Sequence, residues 1–125
     1  AVTLSGCITT ATAQCVITNF QSIVMFTIPE YLPAAGTYAA GLITMSFPAS
    51  ANVANPGCVP LEFVSGSKRK GFCMVVDGGV VKQGAFEISA LGLITIGAGI
   101  TTAGNLINFT VNGQNGLFEQ FGTYF

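Results

Sequence analysis

Charged residues are confined almost entirely to one part of this 125-residue chain, and that distribution limits what the chain can fold into. Of the four basic and five acidic residues, seven lie between Glu62 and Glu87, whereas residues 1–29, 31–61 and 88–118 contain none. A surface helix needs a polar face opposite its apolar stripe, and no segment of the sequence has that pattern. Disorder is also excluded, because half of the residues are hydrophobic and disordered chains are poor in them.

Apolar and polar residues instead alternate, which is typical of half-buried strands. The alternating segments have their apolar side chains at Ile43, Met45 and Phe47; at Leu61 and Phe63; at Phe86 and Ile88; and at Ile107, Phe109 and Val111. The runs 23–26 and 72–76 are apolar at every position, which indicates strands buried on both faces. In so small a β protein, a second subunit is the simplest cover for the outer face of these two runs.

Turn signals separate the predicted strands. Asp77-Gly78-Gly79 lies between two apolar runs, and Asp-Gly suits the positive φ angles of a type I′ hairpin. Short strands separated by such turns predict a sandwich or barrel. We therefore expect a single all-β domain over residues 1–125, an antiparallel β-sandwich or jelly-roll-like barrel of about eight to ten short strands, assembled as a homotrimer.

The composition argues against several functions. The chain has no His, which removes the usual general base and metal ligand, and its carboxylates are dispersed. We expect no enzyme activity, no cofactor and no metal. Four basic residues are too few for nucleic-acid binding. The charge-free stretches are interrupted by Gly, Pro and polar residues, so we expect no membrane insertion.

Four cysteines leave two interpretations open. Two local disulfides are candidates, Cys7–Cys15 and Cys58–Cys73, which is one of three full pairings. The alternative is four buried thiols. The position of Cys73 inside an apolar run favours thiols, as does the absence of other marks of secretion.

Several short motifs resemble those of a known class of proteins. They are Tyr31-Leu32-Pro33-Ala34, Phe47-Pro48-Ala49, the hairpin Val75–Val80 and the closing segment Phe121–Phe125. From about residue 22 to its end, the chain resembles the tip (head) domains of viral receptor-binding fibres, including phage tail fibres. The resemblance implies a trimeric β-sandwich or jelly roll at the virion surface that binds a host-surface receptor, often a glycan. It carries no shared binding-site motif, so no site residues are transferred.

Candidate receptor contacts come from the residues alone. Lys68-Arg69-Lys70 is a run of positive charge that would suit sialylated or sulfated glycans or acidic surfaces; alternatively it is only a solvated hairpin tip. Asn112, Asn115 and Phe118 belong to a second candidate loop. Because most charges fall between residues 62 and 87, we expect this window to include the most exposed part of the assembly. The charge-free stretches would then supply the subunit interface.

Two other functions remain open from the sequence. One is a purely structural trimerisation, capsid or spike module that binds no receptor. The other is a small β-barrel ligand carrier.

Overall fold

The structure is a computed structural model that describes residues 2–6, 11–20, 23–28, 41–109, 115–117 and 121–124. Within these residues the protein is all-β, as the alternating pattern predicts. Two 3-10 helices occur, Ala49–Ala51 and Leu61–Phe63, and no helix of the described part is long and apolar enough to cross a membrane. The strands are β1 (Val2–Gly6), β2 (Ala11–Ala13), β3 (Val16–Phe20), β4 (Ile23–Thr27), β5 (Ile43–Ser46), β6 (Arg69–Asp77), β7 (Val80–Ile88), β8 (Ile94–Gly97), β9 (Gly99–Ile100), β10 (Leu106–Ile107), β11 (Gly116–Leu117) and β12 (Phe121–Tyr124).

The strands form three antiparallel sheets. The largest has seven strands in the order β11-β6-β7-β8-β5-β1-β2. A three-stranded sheet has the order β12-β4-β3, and β9 and β10 form a short hairpin of their own. The strands in the described part exceed the predicted eight to ten because several are only two or three residues long.

Cross-strand rows of apolar side chains form the inner face of the large sheet. Ile88, Ile94, Met45 and Leu4 lie side by side across β7, β8, β5 and β1, and all four are fully buried. A second row pairs Phe86 with Ile96 and Ile96 with Ile43. The intervening residues, among them Ser5, Thr44, Glu87 and Thr95, point to the opposite face and are half-buried. The period of two read from the sequence is therefore correct for β5 and β7.

The three-stranded sheet packs on this inner face through an aromatic pair. The rings of Phe26 on β4 and Phe86 on β7 meet edge to face, with centroids 5.2 Å apart, a favourable arrangement for two aromatic quadrupoles. Gly122 on β12 lies beside the pair, and a Cβ at this position would be only 2.5 Å from the Phe26 ring and 2.9 Å from that of Phe86. The close approach of the two sheets therefore requires glycine here.

The predicted hairpin at Asp77-Gly78-Gly79 is confirmed. β6 and β7 pair from Arg69↔Ile88 to Asp77↔Val80, and the two glycines between them have φ angles of 60° and 84°. Positive φ at both central residues is the requirement of a type I′ turn, which matches the right-handed twist of the strands.

Two strand predictions are wrong. Leu61–Phe63 is a 3-10 helix and not a strand, because Pro60 precedes it at φ −51° and the Pro60 carbonyl accepts a hydrogen bond from the Phe63 N–H at 2.8 Å. The strand predicted around Ile107 and Phe109 ends at Ile107. Ile107 is exposed and Phe109 is buried, so the two do not share a buried face; Val111 lies outside the described residues.

The two doubly apolar runs are each buried on one face and partly exposed on the other in the single chain. In β4, Val24 and Phe26 are buried whereas Ile23 and Met25 are exposed. In β6, Cys73 and Val75 are buried whereas Phe72 and Met74 are exposed; Val76, on the face of Phe72 and Met74, is buried as well. The chain therefore leaves two rows of apolar side chains without a cover from the described residues.

We expect Phe86→Ala to destabilise the protein by about 3–5 kcal/mol, because it leaves a cavity between the sheets and removes the edge-to-face contact with Phe26. Urea denaturation at neutral pH measures this change. Leu91→Ala, at an exposed position between β7 and β8, is the control and should stay within about 0.5 kcal/mol. Equal stabilities of the two variants would contradict the central role of the aromatic pair.

Candidate functional site

The basic run lies where the chain enters the long β6–β7 hairpin. Lys68 immediately precedes β6, and Arg69 and Lys70 are its first two residues. Both lysines are exposed, and Arg69 is half-buried. The two lysines are exposed, but the run opens β6 and is not the hairpin tip that the sequence suggested as the alternative to a receptor contact.

Glu87 on β7 is the common partner of the two lysines. It lies directly opposite Lys70 in the register, and its Oε1 is 3.7 Å from Nζ of Lys68 and 3.8 Å from Nζ of Lys70. Lys70 also donates a hydrogen bond to the Gly104 carbonyl, which ties the start of β6 to the turn between β9 and β10. Exposed ion pairs of this length contribute little to stability, and two lysines facing one carboxylate leave the cluster net positive. It can therefore attract an anion, but its lysines are already partly engaged.

Asn115 occupies a different environment from the one expected. It is fully buried, and its Oδ1 accepts a hydrogen bond of 2.9 Å from the N–H of Gly78 in the hairpin turn. The interpretation of Asn115 as a surface receptor contact is corrected, because a buried side chain that holds the turn cannot reach a partner. Asn112 and Phe118 lie outside the described residues.

Asp77 and Lys82 form an ion pair at the same end of the hairpin. Lys82 Nζ lies 3.3 Å from Oδ2 of Asp77. The cation and the carboxylate largely neutralise each other, so this end of the hairpin is close to electrically neutral. The positive charge of the hairpin is therefore concentrated at the other end, around Lys68 and Lys70.

The candidate disulfides are not formed. Cys15, Cys58 and Cys73 are thiols in the structure, and Cys7 lies outside the described residues. Cys58 sits beside Gly92, after the end of β7, whereas Cys73 is paired with Gly84 in the middle of that strand. The two residues of the second candidate pair therefore lie apart, Cys73 beside the middle of β7 and Cys58 beside the turn that follows it.

Burial affects three ionisable groups near the core. Burial raises the pKa of the Cys15 thiol to about 11 and also raises the pKa of Cys58. Burial, with a further contribution from Cys15, raises the pKa of the Tyr124 hydroxyl. Tyr124 donates a hydrogen bond of 3.0 Å to the Phe63 carbonyl, which links β12 to the second 3-10 helix. A thiol with a raised pKa is a poor nucleophile at neutral pH, so Cys15 and Cys58 suit structural positions.

Phe72 is the surface feature that the sequence interpretation missed. The all-apolar run 72–76 predicts that a second subunit covers its outer face, and in the single chain Phe72 on that face is 60% exposed. The sequence contained a signal of this exposure. If the strands pair back from the two-residue turn at Gly78-Gly79, Met74 lies opposite Gln83. The face that Met74 and Phe72 share is therefore partly polar, which is typical of a face in contact with water. Period and turn together could have identified this exposed aromatic residue.

No group of three or more His, Cys, Asp or Glu in the described part of the chain is arranged to hold a metal ion. The chain matches no protein-family model, no curated protein and no solved structure. Its function is therefore inferred from its own residues.

We expect Asn115→Ala to lower the free energy of unfolding by about 1–3 kcal/mol, because the Gly78 N–H loses a buried acceptor. Urea denaturation measures the loss. Asn105→Ala is the matched control, since Asn105 is exposed and its removal should cost no more than about 0.5 kcal/mol. A neutral Asn115→Ala would show that the turn does not depend on this bond.

Stability should fall at alkaline pH. Cys15 and Tyr124 keep their protons in the folded protein above their ordinary pKa values of 9.0 and 10.0, whereas the unfolded chain loses them. The contribution of Cys15 is complete below about pH 9 and is lost as the pH rises to about 11, whereas that of Tyr124 is complete below about pH 10 and is lost progressively above it. Each loss has a slope of at most about 1.4 kcal/mol per pH unit.

Urea midpoints measured between about pH 8 and pH 10.5 check this dependence. Cys15→Ala should reduce the loss of stability at the lower end of this pH range. A stability that is constant over this range would contradict the burial of both groups.

Proposed function

We propose that this chain is a non-enzymatic head domain of a viral receptor-binding fibre, a homotrimeric β-sandwich that attaches the virion to a receptor on the host surface. The motifs that resemble fibre tips support the proposal. The packing of a three-stranded sheet on a seven-stranded sheet through Phe26 and Phe86 supports the sandwich architecture, since two antiparallel sheets that share a core are its basis.

The main support for the trimer is the exposed apolar face of β3 and β4 that points away from the core. Val16 is 63% exposed, Ile23 38% and Met25 37%. Thr18 faces Met25 in the register, and Val16 faces Thr27, so these residues form one continuous face. It belongs to residues 1–29, which contain no charge. An exposed apolar face without charges is typical of a protein interface, and we assign it to the contact between subunits.

The β6–β7 hairpin is the better candidate for the receptor side. It also has exposed apolar side chains, but it carries Arg69, Lys70, Asp77, Lys82 and Glu87. Charged residues are depleted from interface cores, so this hairpin is suited to remain in water within the trimer. The basic cluster and the exposed Phe72 then face outward, where an anionic or a neutral receptor could bind.

A purely structural trimerisation or capsid module is the second candidate. The engagement of Lys68 and Lys70 by Glu87 and Gly104 favours it, because lysines that already have partners need not bind a receptor. Both functions use the same β3–β4 interface and differ only in host binding.

We expect the wild-type chain to be a trimer at micromolar concentration and Met25→Glu to be a monomer, because a carboxylate would be buried without a partner in the interface. Light scattering after gel filtration measures the mass. Leu91→Glu, an exposed apolar-to-acidic change outside this face, is the control and should leave the trimer intact. A wild-type protein that is a stable monomer would refute the assembly.

Binding of the labelled trimer to a panel of bacterial and animal cells separates the two candidate functions. Saturable attachment to one cell type supports the fibre head. A stable trimer that attaches to none of them supports the structural module.

A further inference from the structure

A cleft of about 260 Å³ lies beside β7, next to the short β9–β10 hairpin. Phe72, Lys82 and Gln83 line it on the β6–β7 side, and Gly99, Ile100 and Ile107 line it on the other side. The basic cluster does not line the cleft. Its nearest member along β6, Lys70, is two residues from Phe72 and is hydrogen-bonded to Gly104 of the same β9–β10 hairpin.

We propose that this cleft binds one neutral pyranose ring of a host-surface glycan, an inference that rests on the receptor-binding function proposed above. A pyranose has an apolar face of C–H bonds and a rim of hydroxyl groups. A matching site needs an accessible apolar wall and a few polar groups at its edge, which is the usual composition of a ligand site.

Phe72 and Ile107 provide the apolar wall. Both residues are exposed, Phe72 to 60% and Ile107 to 42%. An exposed aromatic ring is costly in water and gains contact area when a C–H face stacks on it. The two side chains belong to different hairpins, so the wall exists only because the fold brings β6 and β10 to the same cleft.

Gln83 provides the polar edge. Its amide offers two N–H donors and a carbonyl acceptor. Gln83 lies opposite Met74 in the register, on the face of the hairpin that Phe72 shares, whereas the neighbouring Lys82 projects to the other face, where it pairs with Asp77. Hydroxyl groups both donate and accept, so they suit this mixture. Because Asp77 neutralises Lys82, the cleft has little net charge to attract an anion, and this favours a neutral sugar over a sialylated or sulfated one.

The volume fits one ring. Pockets for drug-sized ligands hold about 300–1,000 Å³, and this cleft lies just below that range. It therefore suits a single sugar unit at the end or side of a longer glycan. Binding of one unit would be weak, and three copies in a trimer would raise the overall avidity.

The test is a titration of the ¹⁵N-labelled protein with the methyl glycosides of galactose, glucose and mannose, followed by amide chemical shifts. For at least one glycoside we expect saturable shifts at Gln83, Gly84, Gly99 and Ile100. Phe72→Ala should weaken this binding about ten-fold or more, because the stacking wall is lost. Met74→Ala is the matched control, since Met74 is exposed on the same face of β6 but does not line the cleft, and it should bind like the wild type.

Two milder variants keep the test decisive if Phe72→Ala does not fold. Gln83→Ala removes polar contacts at an exposed position and should also weaken binding. A Cβ at Gly99 would lie 3.3 Å from Cδ1 of Ile107, so Gly99→Val should narrow the cleft and abolish binding. The proposal is overturned if none of the three glycosides binds, if the shifts map to Lys68–Lys70, or if the cleft variants bind like the wild type.

The cleft and the fibre-head function can fail separately. Glycoside binding at the cleft in a chain that attaches to no cell supports the cleft and refutes the receptor role. Cell attachment that Phe72→Ala leaves unchanged supports the receptor role and overturns the cleft as its site.

Discussion

The contact between Phe26 and Phe86 joins the two main sheets around one core. Neither sheet can bury its apolar face alone, and the edge-to-face rings join β4 to β7 at the centre of the core. Gly122 permits this approach because any side chain there would meet both rings. The cross-strand rows that include Ile96 and Ile94 extend the core from this contact across β8, β5 and β1. Because successive side chains of a strand point to opposite faces, burial of one face in this core leaves the side chains of the other face on the outer surface.

The scarcity of charge has a different consequence from the one that composition alone suggests. The described charges between residues 62 and 87 concentrate on the β6–β7 hairpin and form pairs there, at Glu87 with Lys68 and Lys70 and at Asp77 with Lys82. The outward face of β3 and β4 has exposed apolar residues and no such pairs. The surface is thus divided between a charged hairpin suited to water and an uncharged face suited to another protein. This division is the physical basis for assigning one to a receptor and the other to a subunit contact.

The hairpin itself has two chemically different ends. At the open end, Lys68 and Lys70 exceed the charge of Glu87, and Gly104 anchors Lys70 to the β9–β10 turn. At the turn end, Asn115 holds Gly78 from inside the protein, and Asp77 neutralises Lys82. The cleft lies on these same two strands, which a type I′ turn, the Asn115–Gly78 hydrogen bond and a nine-residue ladder hold in a rigid arrangement. Rigid support of this kind lowers the entropic cost of binding a small ligand.

The sequence alone determined the all-β class, the burial pattern of β5 and β7 and the hairpin at Asp77-Gly78, because alternation and turn chemistry act over a few residues. It also indicated that the lysines of the basic run are exposed, but not that the run begins β6 instead of forming a hairpin tip. It did not determine that Leu61–Phe63 forms a 3-10 helix, that Asn115 is buried or that Phe72 is exposed. Those outcomes depend on partners distant in the chain: Gly78 lies 37 residues from Asn115, and Phe72 reaches its cleft only because β9 and β10 pack beside β7. The tertiary structure therefore decided which of two apolar faces is buried, since a local pattern shows that a strand has two faces but not what each of them meets.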